Sequence, residues 1–326
     1  MTTVVAGIDI GGTKISIALA VPRGDIVSRH RFETHAESGP SGVLESISAA
    51  VNRMVLEGRF SLASIGIGSP SPLDIDNGLI MSPSNLPGWT DFPIVDLMKE
   101  RFRVPVRLEN DANAAALGEY TYGAGRGYRD LFYVTVSTGV GGGVILNGEL
   151  HRGVAAAAGE IGHTIVQPGG KLCNCGSVGC LETICSGVHI ARRTRERLAG
   201  GEASLIRDMV SNVDEITARV VVDAVRHGDA LAVSVWDETC HFLAVGIANA
   251  ISLLAPEIVI VGGGVACAGD LLFAQLREQV PGFVSMVPSS QIRIVPAELG
   301  VDSGVYGAVS IALGLIDSRA RITYAG

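Results

Sequence analysis

Between Gly159 and Glu182 the chain reads Gly159-Glu160-Ile161-Gly162-His163 and then Cys173-Asn174-Cys175-Gly176-Ser177-Val178-Gly179-Cys180-Leu181-Glu182, one imidazole and three thiols within eighteen positions. Such a nitrogen-plus-sulfur set suits Zn2+ in a closed tetrahedron, with His163, Cys173, Cys175 and Cys180 as ligands. With no coordination position left for water, the metal is structural: it staples a loop and holds Glu160 and Glu182 in fixed places. Something polar is expected to bind beside them. A disulfide pair or buried thiols is the alternative reading. Six cysteines in 326 residues, with Cys185, Cys240 and Cys267 scattered singly through apolar stretches, is instead the usage of a reducing compartment.

A second chemical grouping lies at Val104-Pro105-Val106-Arg107-Leu108-Glu109-Asn110-Asp111-Ala112-Asn113, which reads as a strand running into an alanine-rich helix. Asn110, Asp111 and Asn113 crowd the first helical turn. Capping of orphan amides accounts for one of them and not for three. Asp111, at a strand end facing a cleft, is placed to take a proton from a substrate hydroxyl. An aspartate of ordinary pKa suffices there, because phosphoryl transfer depends on positioning and charge neutralisation.

The elements that position these groups are marked by glycine. Val4 to Ile8 and Ile15 to Val21 read as the strands of a hairpin whose tip is Asp9-Ile10-Gly11-Gly12-Thr13-Lys14. Leu131 to Val136 and Val144 to Leu146 repeat the plan around Ser137-Thr138-Gly139-Val140-Gly141-Gly142-Gly143. Two such tips, each offering backbone amides and a threonine hydroxyl, suit the phosphates of a nucleotide. Neither matches a P-loop, and neither opens a helix as a dinucleotide fingerprint does. A third cluster, Gly262-Gly263-Gly264, ends the buried-strand pattern Glu257 to Val261, where bare backbone can meet a flat base; a plain strand-to-helix turn is the alternative there.

Composition frames these motifs. The length suggests about two domains, and 47% hydrophobic with 18% charged residues can bury a large core. A net charge of -8 leaves no footprint for nucleic acid. Met1 to Gly7 does not read as a signal peptide, and the apolar region Phe242 to Val265 is broken by Asn249, Pro256 and Glu257, which predicts a buried helix and strand rather than a membrane span. A cytoplasmic protein is expected.

Taken together and in this order, Asp9-Ile10-Gly11-Gly12-Thr13-Lys14, Asn110-Asp111-Ala112-Asn113, Ser137-Thr138-Gly139, Glu160-Ile161-Gly162-His163, the full cysteine motif and Gly262-Gly263-Gly264 resemble the ROK family, from about residue 4 to residue 315, and within it the bacterial glucokinases. The resemblance implies an actin-like ATPase fold of the ribonuclease H-like type, two α/β domains flanking a cleft. Residues 1–118 plus about 303–326 would form the first domain, closed by a C-terminal helix from about Gly304. Residues 119–302 would form the second, which carries the zinc loop and the adenosine site. Glycines near Gly118 and within Asp302 to Ala308 would serve as hinges.

The resemblance further implies a kinase that transfers the γ-phosphate of Mg-ATP to the 6-hydroxyl of glucose, with Asp111 as general base. Asn85, Asn110, Glu160, His163 and Glu182 would hydrogen-bond the other hydroxyls, His163 meeting zinc through one nitrogen and sugar through the other. Asp9 would hold Mg2+ through water; Gly11, Gly12, Thr13, Lys14, Thr138 and Gly139 would meet the phosphates, and Gly262 and Gly263 the adenosine. Mean hydropathy of +0.37 is compatible with a homodimer or homotetramer, as is common in the family.

One departure concerns Ser69-Pro70-Ser71-Pro72, where many members have Pro-Gly-Pro and Ser71 replaces a glycine near the sugar. It bears on the choice of glucose over N-acetylglucosamine, N-acetylmannosamine, mannose or fructose. The family's repressors carry a helix-turn-helix ahead of the first hairpin, whereas here the hairpin begins at Val4, so an enzyme is expected rather than a regulator. A filament or scaffold protein would have no use for Asp111 together with Glu160, His163 and Glu182.

Overall fold

The computed structural model describes residues 1–83 and 85–316. Strands β1 (Thr2–Ile10), β2 (Lys14–Ala20) and β3 (Ile26–Glu33) form an antiparallel meander. Helix α1 (Gly39–Glu57) returns the chain to β4 (Phe60–Ser69), parallel to β1. The short ribbon β5 (Leu73–Asp74) and β6 (Leu79–Ile80) precedes α2 (Ile94–Phe102), which leads to β7 (Val106–Asn110), parallel to β4. Helix α3 (Asp111–Tyr122) follows directly.

The plan recurs with β8 (Leu131–Val136), β9 (Val140–Leu146) and β10 (Glu149–His151). The zinc-motif loop then runs into α4 (Glu182–Cys185), α5 (Gly187–Ala199), α6 (Ile206–Met209), α7 (Ala218–Arg226) and α8 (Ala230–Leu254). Strand β11 (Ile258–Gly262), α9 (Asp270–Phe283), β12 (Ile294–Pro296) and α10 (Ser303–Leu313) complete the order. The sheets run β3-β2-β1-β4-β7 and β10-β9-β8-β11-β12. In each, a three-strand meander is extended by two parallel strands.

Two compact units are present, Met1–Arg129 with Gly143–Ala158 and the chain from Asp302, and Asp130–Gly142 with Gly159–Val301. The division passes inside β9. The boundary expected at residue 118 lies inside α3, and residues 317–326 of the expected first domain, like Ser84, lie outside the described residues.

Within the first unit, β1 is buried on both faces, which is why Val4 to Ile8 shows no polar alternation. Val4, Ala6, Ile8 and Ile10 join Val43, Leu44 and Ile47 of α1 and Met98 of α2 in one core. Val5, from the opposite face, meets Val305, Val309 and Ala312 of α10. The glycines read as hinges have a different job. A Cβ on Gly118 would fall 2.2 Å from the Ser303 carbonyl oxygen, and one on Gly307 1.6 Å from that of Ala114. They let α3 and α10 cross with backbones touching.

In the second unit, α8 begins at its N-cap Asp229, whose side chain accepts from the Ala232 amide. Among the described residues it is the one helix long and apolar enough to cross a membrane. It is instead a core helix: Leu231, Val235, Leu243, Ile247 and Ile251 are buried, and Trp236 donates to the Leu271 carbonyl at the start of α9.

Candidate functional site

The first unit collects most of its site residues at one end of its sheet. Strands β1 and β2 extend further than the sequence suggests, so Asp9 and Lys14 lie in strands and the tip is only Gly11-Gly12-Thr13. Gly11 N–H donates to the Lys14 carbonyl at 3.0 Å, and Thr34 Oγ1 donates to the Gly11 carbonyl at 2.6 Å. A Cβ on Gly12 would lie 2.7 Å from the Asn85 carbonyl oxygen, so the bare glycine is what lets Asn85 reach the tip.

Asp9 is half-buried beside the first turn of α10, where a Cβ on Gly304 would fall 2.7 Å from its Oδ2. Burial raises its carboxyl to about 7, with further lifts from the charges of Asp111 and Asp302 that Arg31 partly offsets. An all-oxygen site with surplus negative charge fits a hard divalent cation such as Mg2+ held through water.

Asn110 is the N-cap of α3, so the strand-to-helix junction itself aims Asp111. Asn110 Oδ1 accepts from the amides of Ala112 at 2.9 Å and Asn113 at 3.0 Å. Its Nδ2 donates to Asp111 Oδ1 at 3.1 Å and to Ser71 Oγ at 3.0 Å. The Ala112 amide also donates to Asp111 Oδ1, at 2.8 Å, which leaves Oδ2 as the more basic oxygen. Burial raises the Asp111 carboxyl above the usual aspartate range despite these bonds. A charge packed among α3, β4 and β7 loses more hydration than its donors return.

Asn113 does not join the site surface. It is 1% exposed, and its Nδ2 donates to Glu109 Oε1 at 3.1 Å. Glu109 is itself 0% exposed, accepts from the Asn110 amide at 3.1 Å and from Arg152 Nε at 2.8 Å, and forms a second bond to Arg152 Nη2. Sequence reasoning overlooks both Glu109 and Arg152. No sequence signal marks them: Glu109 alternates with Arg107 along β7, the pattern of a solvent-facing pair.

In the second unit, His163, Cys173, Cys175 and Cys180 converge, with their ligand atoms all within 4.8 Å of one another. Cys173 Sγ lies 3.6 Å from His163 Nδ1 and Cys175 Sγ 3.7 Å from Cys180 Sγ. A tetrahedral zinc, with Zn–S about 2.3 Å and Zn–N about 2.0–2.1 Å, separates its ligand atoms by about 3.6 Å for N to S and about 3.8 Å for S to S. The donor set and its spacing therefore fit zinc, and none of these cysteines is in a disulfide. The Ser177 amide draws Cys175 down to about 7, while burial pushes Cys180 up to about 12. With Nδ1 turned to the thiols, His163 Nε2 is the nitrogen that lies 4.0 Å from Glu160 Oε2.

The second hairpin tip is Ser137-Thr138-Gly139, because Val140 to Gly143 already belong to β9. Ser137 accepts from the Gly187 amide at 2.7 Å, which joins the start of α5 to the tip, and Glu182 Oε2 accepts from the Val140 amide at 2.9 Å. A cavity of about 740 Å³ opens here, with Thr138 and Gly187 at its wall and Gly264, Val265 and Ala268 beside them. Its size suits a nucleotide. Of the residues expected at adenosine, Gly262 is buried against Tyr133 and Gly263 is not on the cavity wall; Gly264, just beyond them, is. Arg195 and Arg219, which no motif singled out, also line it.

Comparison with known proteins agrees with this architecture. A glucokinase of Thermotoga maritima is 37% identical over 305 residues, covering 94% of this chain and 96% of its own. An N-acetylmannosamine kinase of Salmonella newport is 33% identical, covering 96% and 99%. Among solved structures, a ROK family glucokinase from Streptomyces griseus in complex with glucose and AMPPNP superposes with a TM-score of 0.81 at 34% identity, covering 95% of this chain and 99% of that one. The repeated sheet of meander plus parallel strands is that of the actin-like ATPase fold. The sequence pattern of the ROK family matches residues 5–314, and the chain belongs to that family.

Proposed function

We propose that the protein is an ATP-dependent glucokinase that phosphorylates the 6-hydroxyl of glucose. The observation that carries the reading is Asp111, a carboxyl held by its N-cap neighbour Asn110, with Oδ1 engaged and Oδ2 basic. Asp111 takes the proton of the 6-hydroxyl as that oxygen bonds to the γ-phosphorus and the bond to the departing ADP oxygen breaks. Asp9 would hold Mg2+ through water; when bound, the ion neutralises charge on the phosphates.

The other assignments support the same reaction. The tips Gly11-Gly12-Thr13, followed by Lys14, and Thr138-Gly139 offer amides and hydroxyls to phosphate. The adenosine lies along the cavity wall at Gly264, beside Gly263. Asn85, Asn110, Glu160, His163 and Glu182 serve the sugar, with zinc fixing the His163 tautomer. A cytoplasmic homodimer or homotetramer completes the proposal. The similarity to an N-acetylmannosamine kinase makes acetamido sugars the competing substrate class.

Coupled ADP release with Mg-ATP tests this on glucose, mannose, fructose, N-acetylglucosamine and N-acetylmannosamine, beside Asp111→Ala. Turnover highest on glucose and lost in the variant is the expected result. Preference for an acetamido sugar overturns the substrate, and no sugar-dependent ADP release overturns the kinase.

A further inference from the structure

The three sulfurs of the zinc-motif loop are not equally sheltered. Cys173 and Cys180 are 4% and 0% exposed, whereas Cys175 stands at the surface. Its Sγ lies 3.7 Å from that of Cys180. A thiol that coordinates a metal is deprotonated, and the thiolate is the form that attacks an oxidant. Cys175 is therefore the ligand a peroxide reaches first, and Cys180 is the thiolate within reach of the oxidised sulfur. Cys173 is the poorer partner, because Asn174 alone separates it from Cys175, and so short a span does not readily supply the Cβ directions a disulfide needs. The span from Cys175 to Cys180 is freer: it turns at Gly176, φ 89°, where a Cβ would meet nothing within 4 Å.

Resting on the zinc reading of these residues, we propose that Cys175 is an oxidation site and that its disulfide with Cys180 releases the metal and switches the kinase off. The Cys175 thiolate attacks one oxygen of hydrogen peroxide, the O–O bond breaks, and hydroxide leaves a sulfenic acid behind. The Cys180 thiolate then attacks the Cys175 sulfur; the S–S bond forms, the S–O bond breaks, and a second hydroxide departs. Each hydroxide takes a proton from solvent, and two electrons have passed from the two sulfurs to one peroxide. His163 and Cys173 alone remain as ligands, too few for a closed tetrahedral site. The loss reaches the residues assigned to the sugar. The His163 ring, which meets Cys173 through Nδ1, is no longer fixed. Cys180, whose Sγ faces the His163 carbonyl oxygen at 3.6 Å, is drawn away just ahead of Glu182, which accepts from the Val140 amide. Backbone bonds from the Leu181 amide to the Thr164 carbonyl and from the Val166 amide to the Gly179 carbonyl give the reduced loop a base on which to refold around zinc.

The test treats the zinc-loaded full chain with a small excess of hydrogen peroxide. Zinc release to a chromogenic chelator, disulfide mapping by mass spectrometry and turnover on Mg-ATP and glucose are read in parallel. Cys267→Ser, which removes the other exposed cysteine, is carried beside the unaltered chain. Both are expected to release one zinc per chain, to form the Cys175–Cys180 disulfide and to lose at least about tenfold of their own unoxidised turnover. Dithiothreitol with added zinc should reverse all three changes. Turnover lost while zinc stays bound, turnover kept after zinc has left, a loss confined to the chain that retains Cys267, or zinc released with no disulfide at Cys175 each overturns the proposal. A chain that takes up no zinc overturns the metal reading and the proposal together. A chain with no sugar-dependent turnover before oxidation overturns the kinase reading and with it the switch, while zinc release and the mapped disulfide still decide the oxidation site.

Discussion

Asp9 and Asp111 share one end of the first sheet, with Gly68 of β4 between them. Asp9 pairs with Gly68 across β1 and β4, and Gly68 pairs with Glu109 across β4 and β7. A Cβ on Gly68 would lie 3.7 Å from Asp9 Oδ1 and 3.9 Å from the Asp111 Cα. The two half-buried carboxylates thus act on each other across this corner, and the charge of Asp111 helps raise Asp9.

The first consequence concerns activity and pH. Burial raises the Asp111 carboxyl above its ordinary 3.8, and a base works only when ionised, so kcat/KM must fall as pH drops through that raised value. The acid limb of the profile should stand above the ordinary aspartate range. Asp111→Asn should lose at least about a hundredfold in kcat with little change in Tm. A limb at the ordinary aspartate pKa would count against Asp111 as the base.

Stability should respond to Asp9 in the opposite sense to a salt-bridged carboxylate. Its folded value of about 7 exceeds its ordinary 3.8, so the folded chain binds the proton more tightly. That contribution is fully present below 3.8 and is lost as pH rises through about 7. In magnesium-free buffer, Tm of the unaltered chain should fall more between pH 5 and pH 8 than that of Asp9→Asn. Parallel Tm curves would show that Asp9 is not desolvated in solution. The variant should also lose turnover, a trade of function for stability.

Zinc removal should unfold the loop that carries Glu160 and Glu182. Elemental analysis is expected to find one zinc per chain, and Cys175→Ser to lower both zinc content and Tm, the latter by about 5–10 °C. Strong chelators should abolish turnover, and added zinc should restore it. Full activity in metal-free protein would remove zinc from any role at the sugar.

The buried Glu109–Arg152 pair predicts an asymmetric outcome. Arg152→Met strands a carboxylate that is 0% exposed and should cost about 3–5 kcal/mol in denaturant unfolding. Adding Glu109→Gln should recover part of that loss, because no charge then remains buried. A double variant as unstable as the sum of the single changes would show that the two side chains act independently.

Much of this protein is written in local sequence. Zinc ligands lie close along the chain, so their spacing alone states the donor set. The two hairpins, the Asn110 cap and the glycine triplet are likewise short-range patterns whose geometry depends on a few adjacent dihedral angles. Local pattern also mistook the extent of the tips, since glycines read as turn residues continue β9 once neighbouring strands pair with them. What only the tertiary structure decided involves residues far apart in sequence: Ser71 at Asn110, Arg152 at Glu109, Gly304 at Asp9, and the burial that lifts Asp111. Periodicity cannot announce such contacts, because desolvation and hydrogen-bond saturation depend on every atom that surrounds a group, and those atoms arrive from separate strands and helices only when the chain has folded.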